Sequence, residues 1–453
     1  MTGPVLAEPA LPARRSALGT MLPGHQLLLL QGGDDLFPAL AEAMDEARSV
    51  VHLETYIFEF AGSALRVAQA LERAALRGVQ VRLLVDGVGT HRIPAEWRQR
   101  FDAAGVQWHI YAPLGRLGLL IPSRWRRLHR KLCVVDGTIG FCGGINIIDD
   151  LDDVALGRLA VPRLDFSLRV AGPLVADMVD TMEQLWWRVQ AVRNARQRDF
   201  RAAWQALREA DRKTDRPGDF SRLLGKIEQR AGLGRRTGRV HADAEGAPSG
   251  SEPLTESPLG VEGARAALLL RDNVSYRHDI ERAYLKAIGE ARQEVVIANA
   301  YFIPGRKLRR ALALAVQRGV RVRLLSQGRY ENFMQYHAAR PVYQQLLAAG
   351  IEIHEYAPSA LHAKVAVIDR RWATVGSTNL DPLSLLLARE ANVMSTDRRF
   401  ASLLHERLDA LFTHQSEVVD APALAARSWL QRVADRVAFG LMRAILFLTG
   451  HRY

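Results

Sequence analysis

Two rhythms of apolar residues run along the chain. Short runs rich in Val, Ile and Leu, such as VVHLETYIF (50–58) and VQVRLLVDG (79–87), are bounded by Gly, Asp or Pro and read as strands. Longer stretches between them place apolar residues three or four apart, as helices covering a sheet do. The succession then returns. ALRGVQVRLLVDG (75–87) matches AVQRGVRVRLLSQG (315–328), FDAAGVQWHIYAP (101–113) matches LLAAGIEIHEYAP (346–358), and VVHLETYIF (50–58) matches EVVIANAYFI (294–303). The pattern predicts an α/β protein of two duplicated αβ domains, each a mixed sheet flanked by helices, related by a pseudo-twofold axis with the active site at their interface.

The rhythm breaks between the repeats. From 191 to 265 the chain is first Arg-rich and helix-prone, then a Gly/Pro/Ser/Glu stretch, EGAPSGSEPLTESPLG (245–260), of linker composition. This predicts a tail over 1–24, a first domain over 25–190, a second over 266–415 and a C-terminal amphipathic helix within 416–453. In that last segment Trp429, Val433, Val437, Leu441, Ala444 and Leu448 recur at helical spacing, with Arg427, Arg432, Arg436 and Arg443 largely off the stripe. Its apolar run is interrupted by Arg443 and is too short to span a bilayer, and LLLL at 27–30 is shorter still. No transmembrane helix is expected. The C-terminal helix either lies in a membrane interface or packs on the protein's own core.

Composition narrows the partner. Lys plus Arg number 61 against 49 Asp plus Glu, a net +12 that favours a phosphate-rich partner, either nucleic acid or an anionic membrane. Cys133 and Cys142 form no C-x-x-C pair, which points to a reducing compartment. Lys occurs at only six positions, so 61 − 6 = 55 of the basic residues are Arg. Two of the six, Lys131 and Lys364, stand in repeated H-x-K stretches, LHRKLCVVDG (128–137) and LHAKVAVIDR (361–370). Lys is a compact point charge where Arg is a planar fork, so these sites require the ammonium.

The stretches ask for phosphodiester chemistry. Residues two apart on a strand share a face, so His129 points with Lys131 and His362 with Lys364. A pseudo-twofold axis then brings two imidazoles and two ammonium groups into one cleft. One His can attack phosphorus while the other protonates the leaving alkoxide, and the lysines neutralise the phosphoryl oxygens. No metal or cofactor is required. We expect His129 to be the nucleophile, although pseudo-symmetry gives sequence no firm way to choose. Small residues and Asn follow each motif: Gly143, Gly144 and Asn146 align with Gly376, Ser377 and Asn379, leaving room for a phosphate and an amide to donate to it. Asp165 and Glu390 each precede an apolar strand and are assigned to hold the far nitrogen of a working imidazole. Asp136 and Asp369 complete each H-x-K-x-x-x-x-D motif and are counted with the catalytic set. Their place at the strand's far end favours a structural role in the following turn. The motif should arise by chance on the order of 0.01 times in such a chain, and it occurs twice, inside a repeat.

HRKLCVVD and HAKVAVID, with GGIN and GSTNLD, resemble the motifs of the phospholipase D superfamily over about 25–190 and 266–415. RDNVSYRHDIERAYLKAI (271–288), VVIANAYFIPG (295–305) and TVGSTNLDPLSLLLAREANV (374–393) resemble cardiolipin synthases of the B type. The resemblance implies transfer of a phosphatidyl group from one phosphatidylglycerol to another acceptor, with release of glycerol, through a phosphohistidine. It carries over to His129, Lys131, Asn146, His362, Lys364 and Asn379, with Ser377 beside them. A phospholipase D that uses water, and a metal-independent nuclease, remain the alternatives.

Three features favour lipid. Sixteen residues separate Pro113 from His129 (129 − 113) but only four separate Pro358 from His362 (362 − 358), so the first half inserts LGRLGLLIPSRWRR, an apolar and basic loop at the catalytic mouth. The C-terminal helix is amphipathic and Arg-bearing. No nucleic-acid module and no basic-aromatic interleaving is visible. The expected partners are an anionic phospholipid such as phosphatidylglycerol and the membrane surface, with no nucleic acid. The expected location is peripheral, on the cytoplasmic face of the cell membrane.

Overall fold

A computed structural model describes residues 19–114, 125–153, 157–212, 259–272, 276–329, 333–381 and 388–448. Each half contributes seven strands in the same order. The first half has β1 (Leu22–Gln31), β2 (Val50–Thr55), β3 (Gln80–Asp86), β4 (Gln107–Tyr111), β5 (Lys131–Val135), β6 (Ile139–Gly143) and β7 (Phe166–Ala171). The second has β8 (Gly260–Arg271), β9 (Glu294–Asn299), β10 (Arg321–Gln327), β11 (Glu352–Tyr356), β12 (Lys364–Ile368), β13 (Trp372–Gly376) and β14 (Ala388–Ser395).

The two sheets are joined. β1 pairs antiparallel with β8, so one sixteen-stranded sheet runs β11-β10-β9-β12-β13-β14-β8-β1-β7-β6-β5-β2-β3-β4, with short strands Ser416–Val418 at its β11 edge and Arg127–Leu128 beside β14. The order reads the same from either end, strand for strand, which is the pseudo-twofold relation expected of the repeat. In each half the second, third and fourth strands are parallel, and the hairpin that follows returns antiparallel. Near the axis the sheet folds back so that β6 faces β14, where Cys142 Sγ lies 3.7 Å from Ala391 O.

Alternation along β5 and β12 explains why these strands can be buried on both sides. Leu132 and Val134 enter the core shared by the halves, while Cys133 and Val135 enter the outer core of the first. Val365 and Val367 join that shared core, and Ala366 and Ile368 an outer core of the second half. The helices α1 (Gly32–Glu46), α2 (Leu65–Leu76), α3 (Ala95–Ala104), α4 (Leu174–Arg196) and α5 (Phe200–Arg212) belong to the first half. The second has α6 (Asp279–Glu290), α7 (Arg306–Gln317), α8 (Phe333–Ala348), α9 (Arg398–His414) and α10 (Trp429–Leu448).

Boundaries differ from the sequence reading in three places. β1 starts at Leu22, within the segment read as a tail, because it has a partner in β8. β8 starts at Gly260, inside the stretch read as linker, since local composition cannot register a strand's distant partner. Helix α4 runs on to Arg196 and turns into α5, which packs back on it through Ala206 and Leu207 against Ala191 and Trp187. The rest of the linker, and the apolar-basic insertion over 115–124, lie outside the described residues.

Candidate active site

Each H-x-K sits where β5 or β12 begins, at the sheet end reached by the C-terminal ends of the parallel strands. Asn299 pairs with Lys364, and Lys131 pairs with Gly143. The strand itself opens only at the Lys. The His precedes it, and each ammonium turns back to donate to its own histidine's carbonyl, Lys131 Nζ to His129 O at 2.7 Å and Lys364 Nζ to His362 O. Lys131 is 6% exposed and Lys364 0%.

The carboxylates cross the axis. His129 Nδ1 lies 3.0 Å from Glu390 Oε1, and His362 Nδ1 lies 2.6 Å from Asp165 Oδ2. With a carboxylate on Nδ1, the proton resides there and Nε2 is the nitrogen free to react. Each histidine is therefore oriented by the opposite half, and neither half holds a complete dyad alone. The same exchange ties the backbone: His362 N donates to Leu164 O at 2.8 Å, and His129 N to Arg389 O at 3.1 Å.

Burial sets the electrostatics. It pushes the Asp165 carboxyl up to about 7, against the pull of Lys364 and the Phe166 N–H. It pulls His362 well below the usual imidazole value, helped by Lys364 and Lys131. It lowers His129 too, although Glu390 opposes the shift. Lys131 falls to about 7, chiefly by burial; Glu390 opposes the shift and repulsion from Lys364 adds to it. These mutual effects place both His-Lys pairs in one cluster, where an anion would relieve the repulsion of two buried ammonium groups.

The accessory residues fall into place unequally. Asn146 is 4% exposed, and its Oδ1 accepts from Ile57 N at 3.2 Å, which leaves its NH2 free of that bond. Asn379 is equally buried, with Oδ1 unpartnered among the described residues. Ser377 donates to Glu390 Oε2 and accepts from Ala391 N at 3.1 Å, so it fixes the carboxylate rather than facing a substrate. Its counterpart Gly144 has no side chain because the Asp165 carboxylate occupies the space a Cβ would need.

Asp136 and Asp369, the last residues of the two motifs, each sit at the far end of the strand and bind backbone. Asp136 accepts from Arg48 N, Ser49 N, Ser49 Oγ and Val50 N at 2.7–2.9 Å; Asp369 accepts from Arg292 N, Gln293 N and Glu294 N at 2.7–2.8 Å. Both adopt positive φ, 50° and 51°, which Asp tolerates better than most residues. Each clamps the entry of β2 or β9 to the turn after the motif strand. Burial would raise the Asp136 carboxyl, but the N–H donors of Val50 and Arg48 outweigh it and hold it below the usual range. A depressed carboxyl contributes stability above its unfolded pKa and loses it as pH falls through the folded value. Asp136→Asn should therefore cost about 1–3 kcal/mol at pH 7, with the deficit shrinking below about pH 4, while kcat per folded molecule stays unchanged. Thermal melts across pH check the first part and active-site titration the second.

Two contributors escaped the sequence reading. The Tyr56 ring is 5.0 Å from the His129 ring and 5.6 Å from Lys131 Nζ, within reach of a cation–π contact. Its match to Tyr301 in the aligned strand repeats was the available signal. Asp86, 0% exposed, accepts from Leu128 N at 2.8 Å and from Arg127 at 3.1 Å, and so holds the chain as it enters His129. Among the described residues no group of three His, Cys, Asp or Glu is placed to hold a metal ion.

Comparison with known proteins agrees with this geometry. Residues 40–150 and 284–412 match the family model described as cardiolipin synthase, PLD-like domain. Cardiolipin synthase B of Salmonella typhi is 34% identical over 428 residues, 94% of this chain and 90% of that one, and the same figures hold for cardiolipin synthase B of Escherichia coli K12. Cardiolipin synthase A of Pseudomonas fluorescens is 29% identical over 93% of this chain and 76% of its own. Among solved structures, the phosphatidylserine synthase of Haemophilus influenzae superposes with a TM-score of 0.60 over 96% of both chains at 13% identity, a likeness of fold. The duplicated fold, the paired H-x-K motifs and these relatives together identify the chain as a member of the cardiolipin synthase family of phospholipase D-like enzymes.

Proposed function

We propose that this enzyme transfers a phosphatidyl group from one phosphatidylglycerol to a hydroxyl of another, forming cardiolipin and glycerol. The observation that carries the reading is the pair of crossed dyads, His129–Glu390 and His362–Asp165. In the first step His129 Nε2 attacks phosphorus, the bond to the glycerol oxygen breaks, and His362 gives that oxygen its proton. In the second, His362 takes the proton of the acceptor hydroxyl, whose oxygen attacks phosphorus while the P–N bond breaks. Microscopic reversibility lets one imidazole serve as acid, then as base. Lys131 and Lys364 balance charge on the phosphoryl oxygens, and Asn146 and Asn379 supply amide donors beside them. On this reading the enzyme works peripherally, at the cytoplasmic face of the cell membrane. Its net charge of +12 supports attraction to anionic lipid, and its two cysteines are free and buried.

The test is incubation with phosphatidylglycerol vesicles in excess EDTA, beside a His129→Ala control, with the lipids resolved afterwards. Cardiolipin and glycerol in equal amounts are expected. Phosphatidic acid alone would make water the acceptor and the enzyme a hydrolase. Full loss in EDTA, restored by a divalent ion, would refute the metal-free mechanism.

A further inference from the structure

Helix α10 presents two opposed faces, and only one of them is packed among the described residues. Its inner face packs on α8. Ala438 and Met442 enter the outer core of the second half, and Asp435, the helix's one acidic residue, lies 2.6 Å from His337 Nδ1. The opposite face is apolar and uncovered: Trp429 is 66% exposed, Leu430 61%, Val433 47%, Val437 59% and Leu441 51%. Leu430, Val433, Val437 and Leu441 are three or four apart and form one ridge, with exposed Arg432 and Arg436 along its flank. A stable amphipathic helix usually buries its apolar side; this one buries its acid and shows its aliphatic ridge to the outside.

The ridge also starts toward the end of the sheet that carries the catalytic lysines. Arg427, just before α10, lies over the Tyr336 ring at 5.7 Å. Tyr336 lines a cleft with Tyr301 and Gln327 at the C-terminal ends of β9 and β10, the sheet end at which β12 begins with Lys364.

We infer that the exposed face of α10 is a membrane-docking surface that seats the catalytic mouth on an anionic phospholipid bilayer. Charge chooses the occupant. With Asp435 turned inward, the outer face is purely cationic and apolar, which suits acidic headgroups above acyl chains. A second copy docked ridge to ridge would set arginine rows against each other. The inference deepens the reading of an enzyme that works on bilayer lipid, and rests on it.

The experiment uses the full chain and a Val437→Asp/Leu441→Asp double variant, spun with vesicles of phosphatidylglycerol and phosphatidylcholine or of phosphatidylcholine alone. The wild type should partition at least about tenfold more strongly to the anionic vesicles than to the neutral ones, and at least about tenfold more strongly than the variant does, with part of the difference lost in high salt. Both substituted side chains are exposed, so the melting temperature should not move. Turnover of a short-chain phosphatidylglycerol below its micelle concentration should match the wild type, while turnover of vesicles falls about tenfold. Equal vesicle binding by the variant would overturn the inference. So would a wild type that sediments as a dimer without lipid and a variant that sediments as a monomer, since the ridge would then be a protein interface. Ridge-dependent vesicle binding with no turnover of the short-chain lipid by either protein would uphold the docking surface and refute the functional reading.

Discussion

His129→Ala should abolish phosphatidyl transfer, with a loss on the order of 10⁴-fold or more, because removing the nucleophile of a covalent mechanism leaves only binding and electrostatics. His362→Ala should be as damaging with phosphatidylglycerol, yet the two losses differ in kind. A glycerol alkoxide leaves poorly without a proton. A phosphatidyl ester of p-nitrophenol leaves readily without one, so it bypasses the need for an acid. With that substrate, His362→Ala should release a burst of nitrophenol equal to the enzyme present and then stall, because no base remains to activate the acceptor. Phosphoenzyme should accumulate, stable in alkali and labile in acid as a phosphohistidine is. His129→Ala should give neither burst nor phosphoenzyme. The reverse pattern would exchange the two roles. The cross-axis carboxylates do not themselves decide the direction, since each imidazole presents Nε2 with Nδ1 held. A burst from both variants would refute the fixed division of roles, and a burst from neither would refute the two-step mechanism itself.

The duplication was legible in the sequence because both halves keep the same strand words and the same H-x-K spacing. The strand order, symmetric about the β1–β8 pair, gives that repeat its physical form. Asp165 and Glu390 are also legible as lone acids beside apolar runs, although Glu390 lies within β14 rather than before it. Their exchange is not: which His meets which carboxylate is decided by contacts spanning 261 residues for His129–Glu390 and 197 for His362–Asp165. Local pattern carries no register over such distances. Asp136 shows the converse limit. Motif spacing groups it with His129, but each strand residue advances about 3.3 Å, so five residues carry it to the opposite end of β5. Periodicity marks the C-terminal apolar stripe but does not choose between core and interface. The structure separates the two faces: Ala438 and Met442 go inward, and Val437 and Leu441 stay outside. Hydrophobic spacing finds a stripe; it does not say which of two faces of a small helix the neighbours will take.

Lys364→Arg should lower kcat on the order of 10²-fold or more despite conserving charge. Lys364 is wholly buried, its ammonium donates to His362 O, and it stands 3.8 Å from Asp165 Oδ2. The space is therefore bounded by the backbone of the His it accompanies and by the carboxylate that orients that His. A guanidinium is wider and planar, and directs its donors along a fixed fork, so it would press on Asp165 or withdraw from the phosphoryl oxygens. Displacing Asp165 lets His362 turn, which costs the leaving-group proton; withdrawing the charge costs stabilisation that grows as the phosphoryl oxygens gain charge in the transition state. Both effects fall on kcat more than on KM. Overpacking would also cost about 1–3 kcal/mol of stability, so the rate is measured below the variant's melting transition and per folded molecule. Lys364→Met separates the two contributions: it removes the charge with little added bulk, and should be at least as slow as the Arg variant if charge placement governs the rate. A near wild-type kcat in Lys364→Arg would refute the requirement for a compact ammonium. The retention of Lys at both motif positions, in a chain that uses Arg for 55 of its 61 basic residues, would then need another cause.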